Sequence, residues 1–153
     1  SAGQFDPLVA GVGQHVITYT FTSSFGCTAS ATDTIEVSTP PNVTLAPLAD
    51  VCIDAGAITL SGGLPAGGTY SGAGVTAGVF DPAAVGVGTQ SIVYTFTNAQ
   101  GCSASDTQSI VVNGLPVVDF PLSSVVCDYA APVTLSTGTP VGGTYSGPGV
   151  TGS

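Results

Sequence analysis

Four cysteines, Cys27, Cys52, Cys102 and Cys127, are the residues of this chain whose type and spacing most strongly indicate chemistry. Consecutive cysteines are 25, 50 and 25 residues apart, and none belongs to a Cys-x-x-Cys motif. The spacing therefore argues against a zinc site or a thioredoxin-like redox motif. It favours disulfide bonds formed in an oxidising compartment outside the cell.

Side chains that could catalyse a reaction are sparse. His15 is the only histidine, and no other element of a Ser-His-Asp site accompanies it, so we expect a solvated residue at the start of a strand. Asp6 and Asp81 each stand in a Phe-Asp-Pro sequence, which could supply a calcium ligand but is more typical of a turn after a strand. The sequence predicts no enzyme activity, no cofactor and no metal site.

The absence of lysine and arginine excludes further classes of function. The chain has 153 residues, nine acidic residues and a formal net charge of −9. A nucleic-acid-binding protein needs cations that face the phosphates, and a basic membrane-surface helix needs lysine or arginine. No apolar run is long enough to predict a membrane span. Hydrophobic residues nevertheless make up 43% of the chain, which indicates a folded protein.

An internal repeat organises the sequence. When the chain is shifted by 75 residues, it aligns with itself without a gap, and about half of the compared positions are identical. Cys27 falls on Cys102 and Cys52 falls on Cys127. The Gly-Gly-Thr-Tyr-Ser-Gly sequence of 67–72 also recurs at 142–147. We call two residues 75 positions apart repeat counterparts.

The seams between repeats are placed at Thr39-Pro40-Pro41 and Leu115-Pro116. With this phasing, residues 41–115 form one complete unit, the central unit. Residues 1–40, the leading segment, form the C-terminal half of a preceding unit. Residues 116–153, the trailing segment, form the N-terminal half of a following unit. We expect either a window on a longer array or separate chains that complete each other's half-units.

The hydrophobic pattern predicts an all-β fold. Apolar residues alternate with threonine at 17–22, and Ile92, Tyr94 and Phe96 repeat the same spacing, as expected for strands with one buried face. Strands over about 90–97 and 103–112 should form a hairpin, and glycine, proline and asparagine mark the turns between shorter strands. No segment shows a helical stripe. Each unit is therefore predicted to be a small antiparallel β-sandwich, and tandem units should form a rod or filament.

The repeat leaves two disulfide arrangements open. The preferred one pairs Cys52 with Cys102 inside the central unit, and Cys27 and Cys127 then pair outside this stretch of sequence. In the alternative, the two cysteines of a unit lie at opposite ends of the sandwich. The bonds then cross the junction between neighbouring units.

Several segments of the central unit resemble a known type of repeat. They are AITLSG (57–62), PAGGTYSGAGV (65–75), FDPAAVGVGT (80–89), IVYTFTNAQGC (92–102) and SIVVN (109–113). This pattern resembles the tandem Ig-like or PKD-like repeats of giant surface adhesins that gliding bacteria export by type IX secretion. The resemblance implies an extracellular, disulfide-stabilised filament or adhesin at the bacterial surface. It supplies no catalytic residues.

The expected function is therefore structural and adhesive. The expected partners are neighbouring copies or repeats of the same protein, with surface glycans as a second class of partner. A surface carbohydrate-binding module is the alternative, which would show a concave site lined by aromatic residues. We further hypothesise that residues 1–40 and 116–153 combine end to end, within a longer chain or between chains by strand donation.

Overall fold

A computed structural model describes residues 3–122 and 125–151 of the chain. Over these residues the fold is all-β, with 39% of them in strands and two helices of one turn each. In chain order, its elements are α1 (Pro7–Ala10), β1 (Gly13–Thr22), β2 (Thr28–Val37), β3 (Thr44–Leu45), β4 (Val51–Cys52), β5 (Ile58–Thr59), β6 (Gly63–Leu64), β7 (Thr69–Ser71), β8 (Val75–Thr76), β9 (Val79–Phe80), α2 (Pro82–Val85), β10 (Gly88–Thr97) and β11 (Ser103–Asn113).

The largest sheet belongs to the central unit and has the strand order β4-β11-β10-β7. Strands β10 and β11 form a long antiparallel hairpin, β7 is antiparallel to β10, and β4 is parallel to β11. Two smaller sheets, β3-β6 and β5-β9-β8, are made of very short strands. This arrangement is compatible with a small β-sandwich.

One hydrophobic core lies inside the central unit. Among the described residues, every buried hydrophobic side chain falls between Leu45 and Val112. The core comprises Leu45, Leu60, Phe80, Ile92, Tyr94, Ile110 and Val112. Alternate residues of β10 and of β11 reach it, because side chains two apart on a strand share one face. The alternation in the sequence is therefore the packing pattern of the hairpin.

The turn between β10 and β11 is fixed by the side chain of Asn98. Its Oδ1 accepts hydrogen bonds from the backbone N–H of Gln100 at 3.1 Å and of Cys102 at 2.9 Å. Gly101 has a φ of 84°, in the left-handed region that favours glycine. The structure confirms the predicted hairpin and extends it to Gly88–Thr97 and Ser103–Asn113.

The two short helices were not predicted, since four residues cannot show a helical stripe. Each begins at the proline of a Phe-Asp-Pro sequence, and the aspartate of that sequence is the N-cap residue. The Oδ1 atom of Asp81 accepts a hydrogen bond from Ala83 N at 3.0 Å, and that of Asp6 accepts one from Leu8 N at 2.8 Å. The predicted turn is thus one turn of helix with a capped N-terminus.

The leading segment contains the same hairpin as the central unit. Strands β1 and β2 pair from Gly13↔Val37 to Thr22↔Thr28, which is the register of β10 and β11 shifted by 75 residues. In the described part of the trailing segment, the only strand-like pairing is an isolated bridge between Asp119 and Thr139.

Candidate functional site

Tyr94 connects three parts of the central unit. Its side chain is 2% exposed, and its ring centroid lies 4.7 Å from that of Tyr70. The Tyr94 hydroxyl donates to the carbonyl oxygen of Pro65 at 2.6 Å and accepts from Gly68 N at 2.7 Å. Residue 68 must be glycine here, because a Cβ would collide with the Tyr94 ring and the Thr95 carbonyl oxygen. The hydroxyl therefore joins β10 to the loop before β7.

The counterpart hairpin in the leading segment leaves the same residues uncovered. Tyr19 is 70% exposed where Tyr94 is 2% exposed, and Ile17 is 45% exposed where Ile92 is fully buried. Phe21, also on β1, is an exposed large hydrophobic residue. Since the register and these apolar residues are shared by the two hairpins, the difference in exposure arises from what packs on the hairpin. The leading segment thus presents an apolar face that the central unit buries.

The trailing segment has the local structure of the first half of the central unit. The bridge Asp119↔Thr139 is the counterpart of the pair Thr44↔Leu64 that joins β3 to β6. The Tyr145 hydroxyl accepts from Gly138 N at 3.1 Å, just as the hydroxyl of its counterpart, Tyr70, accepts from Gly63 N at 2.9 Å. The trailing segment therefore repeats contacts of the central unit without the hairpin that completes them.

An open groove of about 960 Å³ lies in the trailing segment. Its lining includes Phe120, Leu135 and Tyr145. Their repeat counterparts belong to the core of the central unit or pack against it; these are Leu45, Leu60 and Tyr70. In the central unit, the hairpin residues Ile92 and Tyr94 belong to that core. The groove is thus lined by the residue types that bind a hairpin elsewhere in the same chain.

The structure does not bring Cys52 and Cys102 together. Cys52 pairs with Asn113, the last residue of β11, whereas Cys102 directly precedes its first residue. At about 3.3 Å per residue, the length of β11 separates the two cysteines by roughly 30 Å. A disulfide needs Cα atoms less than about 7 Å apart. The described residues contain no disulfide, and Cys27, Cys52 and Cys127 are exposed.

Cys102 instead contacts the end of the leading segment. Its Sγ lies 3.9 Å from the carbonyl oxygen of Ser38. Next to it, Asn98 Nδ2 donates to the carbonyl oxygen of Thr39 at 3.4 Å. The turn between β10 and β11 therefore faces the seam between the leading segment and the central unit.

The other candidate residues take structural positions. His15 is half-buried in β1; its Nε2 lies 2.9 Å from the carbonyl oxygen of Gly11, and its ring lies 5.9 Å from that of Phe5. Within residues 3–122 and 125–151, no three histidine, cysteine or acidic side chains are grouped so that they could hold a metal ion. The candidate functional site is thus the pair of uncovered faces and the cysteines near them.

Sequence reasoning missed two residues that position these faces. The recurrence of Gly-Gly-Thr-Tyr-Ser-Gly could have identified Gly68 as a conserved feature of the repeat. Asp106, whose Oδ2 accepts from Leu45 N at 2.7 Å, leaves no such signal, because its counterpart is Ala31.

Comparison with known proteins adds no family assignment. No protein-family model matches the chain, and no curated protein is significantly similar to it. In the described part of the chain, no helix is long and apolar enough to cross a membrane.

Proposed function

We propose that this chain is a structural and adhesive segment of a bacterial extracellular filament or giant surface adhesin built of tandem Ig-like repeats. Its units are small β-sandwiches stacked end to end as a rod. The proposal includes the resemblance to type IX-secreted repeats of gliding bacteria. Its role is mechanical, since repeated units give reach and short seams limit bending.

The observation that carries the proposal is the relation between the central unit and its two flanking segments. One repeat has a complete core, and each flank has the local structure of one half of that repeat. A complete repeat flanked by parts of the same repeat is typical of an extended array. The absence of lysine and arginine suits such a role outside the cell, because trypsin-like proteases find no cleavage site in it.

A carbohydrate-binding module is less well supported. Sugar-binding sites commonly present aromatic rings to the ligand in a concave site. Phe80, Tyr94 and the partly buried Tyr70 belong to the core of the central unit or pack against it, and the exposed Tyr19 and Phe21 lie on the β1–β2 hairpin, outside the groove of the trailing segment. An extracellular hydrolase would need paired acids or a catalytic triad. The single histidine and the separate capping roles of Asp6 and Asp81 offer neither.

Immunoelectron microscopy of the producing bacterium tests the proposal. Antibodies against the 153-residue chain should label fibres on intact, unpermeabilised cells. Labelling only after permeabilisation would contradict an extracellular role. A glycan array probed with the same chain separates scaffolding from sugar binding, because selective binding to one class of glycan would favour the carbohydrate-binding alternative.

A further inference from the structure

We propose that the trailing segment of one copy and the leading segment of a second copy join into a complete unit, and that two disulfides between the copies close this junction. The inference deepens the proposed function and rests on it, since a filament needs end-to-end contacts. It names the occupant of the groove as the β1–β2 hairpin of a second copy.

The apolar face of the β1–β2 hairpin and the groove of the trailing segment match, because their repeat counterparts are in contact inside the central unit. There, β10 pairs with β7 so that Tyr94 lies opposite Tyr70 and Thr95 opposite Thr69. Moved by one repeat, the same register places Tyr19 of the second copy opposite Tyr145 of the first. The residues that the Tyr94 hydroxyl binds have counterparts of the same type, Pro140 and Gly143.

The two segments together also supply every element of a unit. The described part of the trailing segment ends at Thr151, the counterpart of Thr76 at the end of β8. In the leading segment, Gln4 is the counterpart of Val79 at the start of β9. Joining the two segments therefore interrupts no strand of the repeat, because Thr151 and Gln4 correspond to positions on either side of the short turn between β8 and β9.

Docking brings Cys127 of the first copy beside Cys102 of the second. In the central unit, Cys52 pairs with Asn113. Their counterparts, Cys127 and Ser38, become neighbours across the junction, and neighbouring strands are about 4.8 Å apart. Cys102 of the second copy already contacts the Ser38 carbonyl oxygen. Both cysteines thus approach the same residue, and the proposal places their Cα atoms within the roughly 7 Å that a disulfide requires.

The same geometry pairs the remaining two cysteines. Cys27 is the counterpart of Cys102, and Asn113 is the counterpart of Ser38. When the new seam repeats the seam between the leading segment and the central unit, Cys27 of the second copy contacts Asn113 of the first. Asn113 pairs with Cys52 of that first copy. All four cysteines are then used, two from each copy at every junction.

Each bond forms by oxidation of two thiols. The two cysteines lose two protons and two electrons, and one S–S bond results. The electron acceptor is a small-molecule or protein disulfide, whose own S–S bond is reduced to two thiols. In the test below, oxidised glutathione serves as this acceptor.

The central experiment mixes isotopically heavy and light copies of the full chain, oxidises them with glutathione and maps disulfide peptides after pepsin digestion. Pepsin is needed because trypsin has no site. We expect Cys102–Cys127 and Cys27–Cys52 peptides, with half of each joining one heavy and one light chain. A Cys52–Cys102 peptide, or pairs that never mix labels, would overturn the inference.

Association without disulfides is tested by sedimentation under reducing conditions. The chain should form dimers and longer open oligomers as its concentration rises, since the two faces differ. Gly143→Ala should weaken association at least about tenfold, because its Cβ would collide with Tyr19 of the second copy as one on Gly68 would with Tyr94. Within one copy, a Cβ on Gly143 meets only the Pro140 carbonyl oxygen, at 3.9 Å. An unchanged affinity would contradict the proposed contact.

Val117→Ala is the control for this variant. Val117 is 89% exposed in the trailing segment and does not line the groove, and its counterpart in the complete unit, Asn42, is also exposed. This substitution should leave association unchanged. Equal weakening by both variants would indicate a general defect of the segment and overturn the specific contact.

Ala31→Asp tests the same register with a substitution that should strengthen association instead of weakening it. In the central unit, Asp106 accepts a hydrogen bond from Leu45 N, and the corresponding residues at the junction are Ala31 and Phe120. An aspartate at 31 should tighten association about tenfold, because a charged acceptor strengthens a hydrogen bond. An affinity that does not increase would contradict the register.

A chain extended after Ser153 by a second copy of residues 4–40 separates this inference from the proposed function. In the extended chain, residues 116–153 and the added copy of residues 4–40 form a continuous unit, called the third unit. This unit should fold and bury the added tyrosine that corresponds to Tyr19. If it folds while the original chain remains monomeric, joining between copies is wrong and the tandem-repeat function stands. If the third unit does not fold, the repeat organisation itself is contradicted.

Discussion

Tyr94 and Tyr19 occupy the same place in the repeat but differ almost completely in exposure. Removal of the Tyr94 hydroxyl in Tyr94→Phe leaves Gly68 N and the Pro65 carbonyl oxygen without this partner. We expect the free energy of unfolding to fall by about 1–3 kcal/mol, the usual cost of buried polar groups left unpaired. Urea unfolding of the reduced chain at low concentration measures the change.

Tyr19→Phe is the matched control for that prediction. Tyr19 is 70% exposed, so loss of its hydroxyl in the monomer should change the unfolding free energy by less than about 0.5 kcal/mol. Equal destabilisation by the two variants would mean that the central unit is not the part of the chain that unfolds cooperatively.

At the residue scale, the sequence identified the recurring cysteines and left two ways of pairing them open. A recurring cysteine can be recognised from spacing alone. Its partner depends on which strand ends meet, and β11 places Cys52 and Cys102 at opposite ends of the unit. Gly68 likewise has a role that only the position of the Tyr94 ring explains.

At the element scale, the two hairpins show how packing decides stability. Strands β1 and β2 have the register of β10 and β11, but the apolar side chains of β1 are exposed. An isolated two-stranded hairpin is marginally stable in water. In the reduced monomer, backbone amides of β10 and β11 should therefore exchange with solvent at least about a thousandfold more slowly than those of β1 and β2.

Hydrogen exchange followed by mass spectrometry checks this difference. Equal protection of the two hairpins at the lowest concentration would contradict it. The Gly143→Ala variant serves as the control, because it should keep β1 and β2 unprotected at concentrations where the original chain associates.

The helix α2 gives a second prediction at this scale. Asp81→Ala removes the N-cap hydrogen bond to Ala83 N, which should cost about 1 kcal/mol of unfolding free energy. Thermal or urea unfolding measures the loss. Asp6→Ala removes the equivalent cap of α1, outside the central core, and should leave the main unfolding transition unchanged. A larger effect of Asp6→Ala than of Asp81→Ala would contradict this account.

The element that the sequence predicted best is the long hairpin, whose two strands are adjacent in the sequence and pair with each other. The long hairpin is encoded by alternation and by the Asn98 turn, so its register follows from nearby residues. The strands of the trailing segment have the same pattern as β3 to β8, yet only the bridge of Asp119 with Thr139 forms within residues 116–122 and 125–151. The alternation of apolar and polar residues predicts which face of a strand is buried. The strand itself forms only when a neighbouring strand supplies its backbone hydrogen bonds.

At the scale of the whole molecule, the net charge of −9 governs how copies approach each other. With no lysine or arginine, a junction between copies lacks the ion pairs that these residues form, and its attraction comes from apolar contact and hydrogen bonds. Long-range repulsion acts over about 30 Å at 0.01 M salt but only about 3 Å at 1 M. We therefore expect the association of reduced chains to strengthen as sodium chloride rises between these concentrations, measured by sedimentation equilibrium.

The double variant Asp33→Asn with Glu36→Gln removes two charges from β2, and its association should depend less on salt concentration. Association that weakens with salt would contradict an apolar junction between like-charged copies.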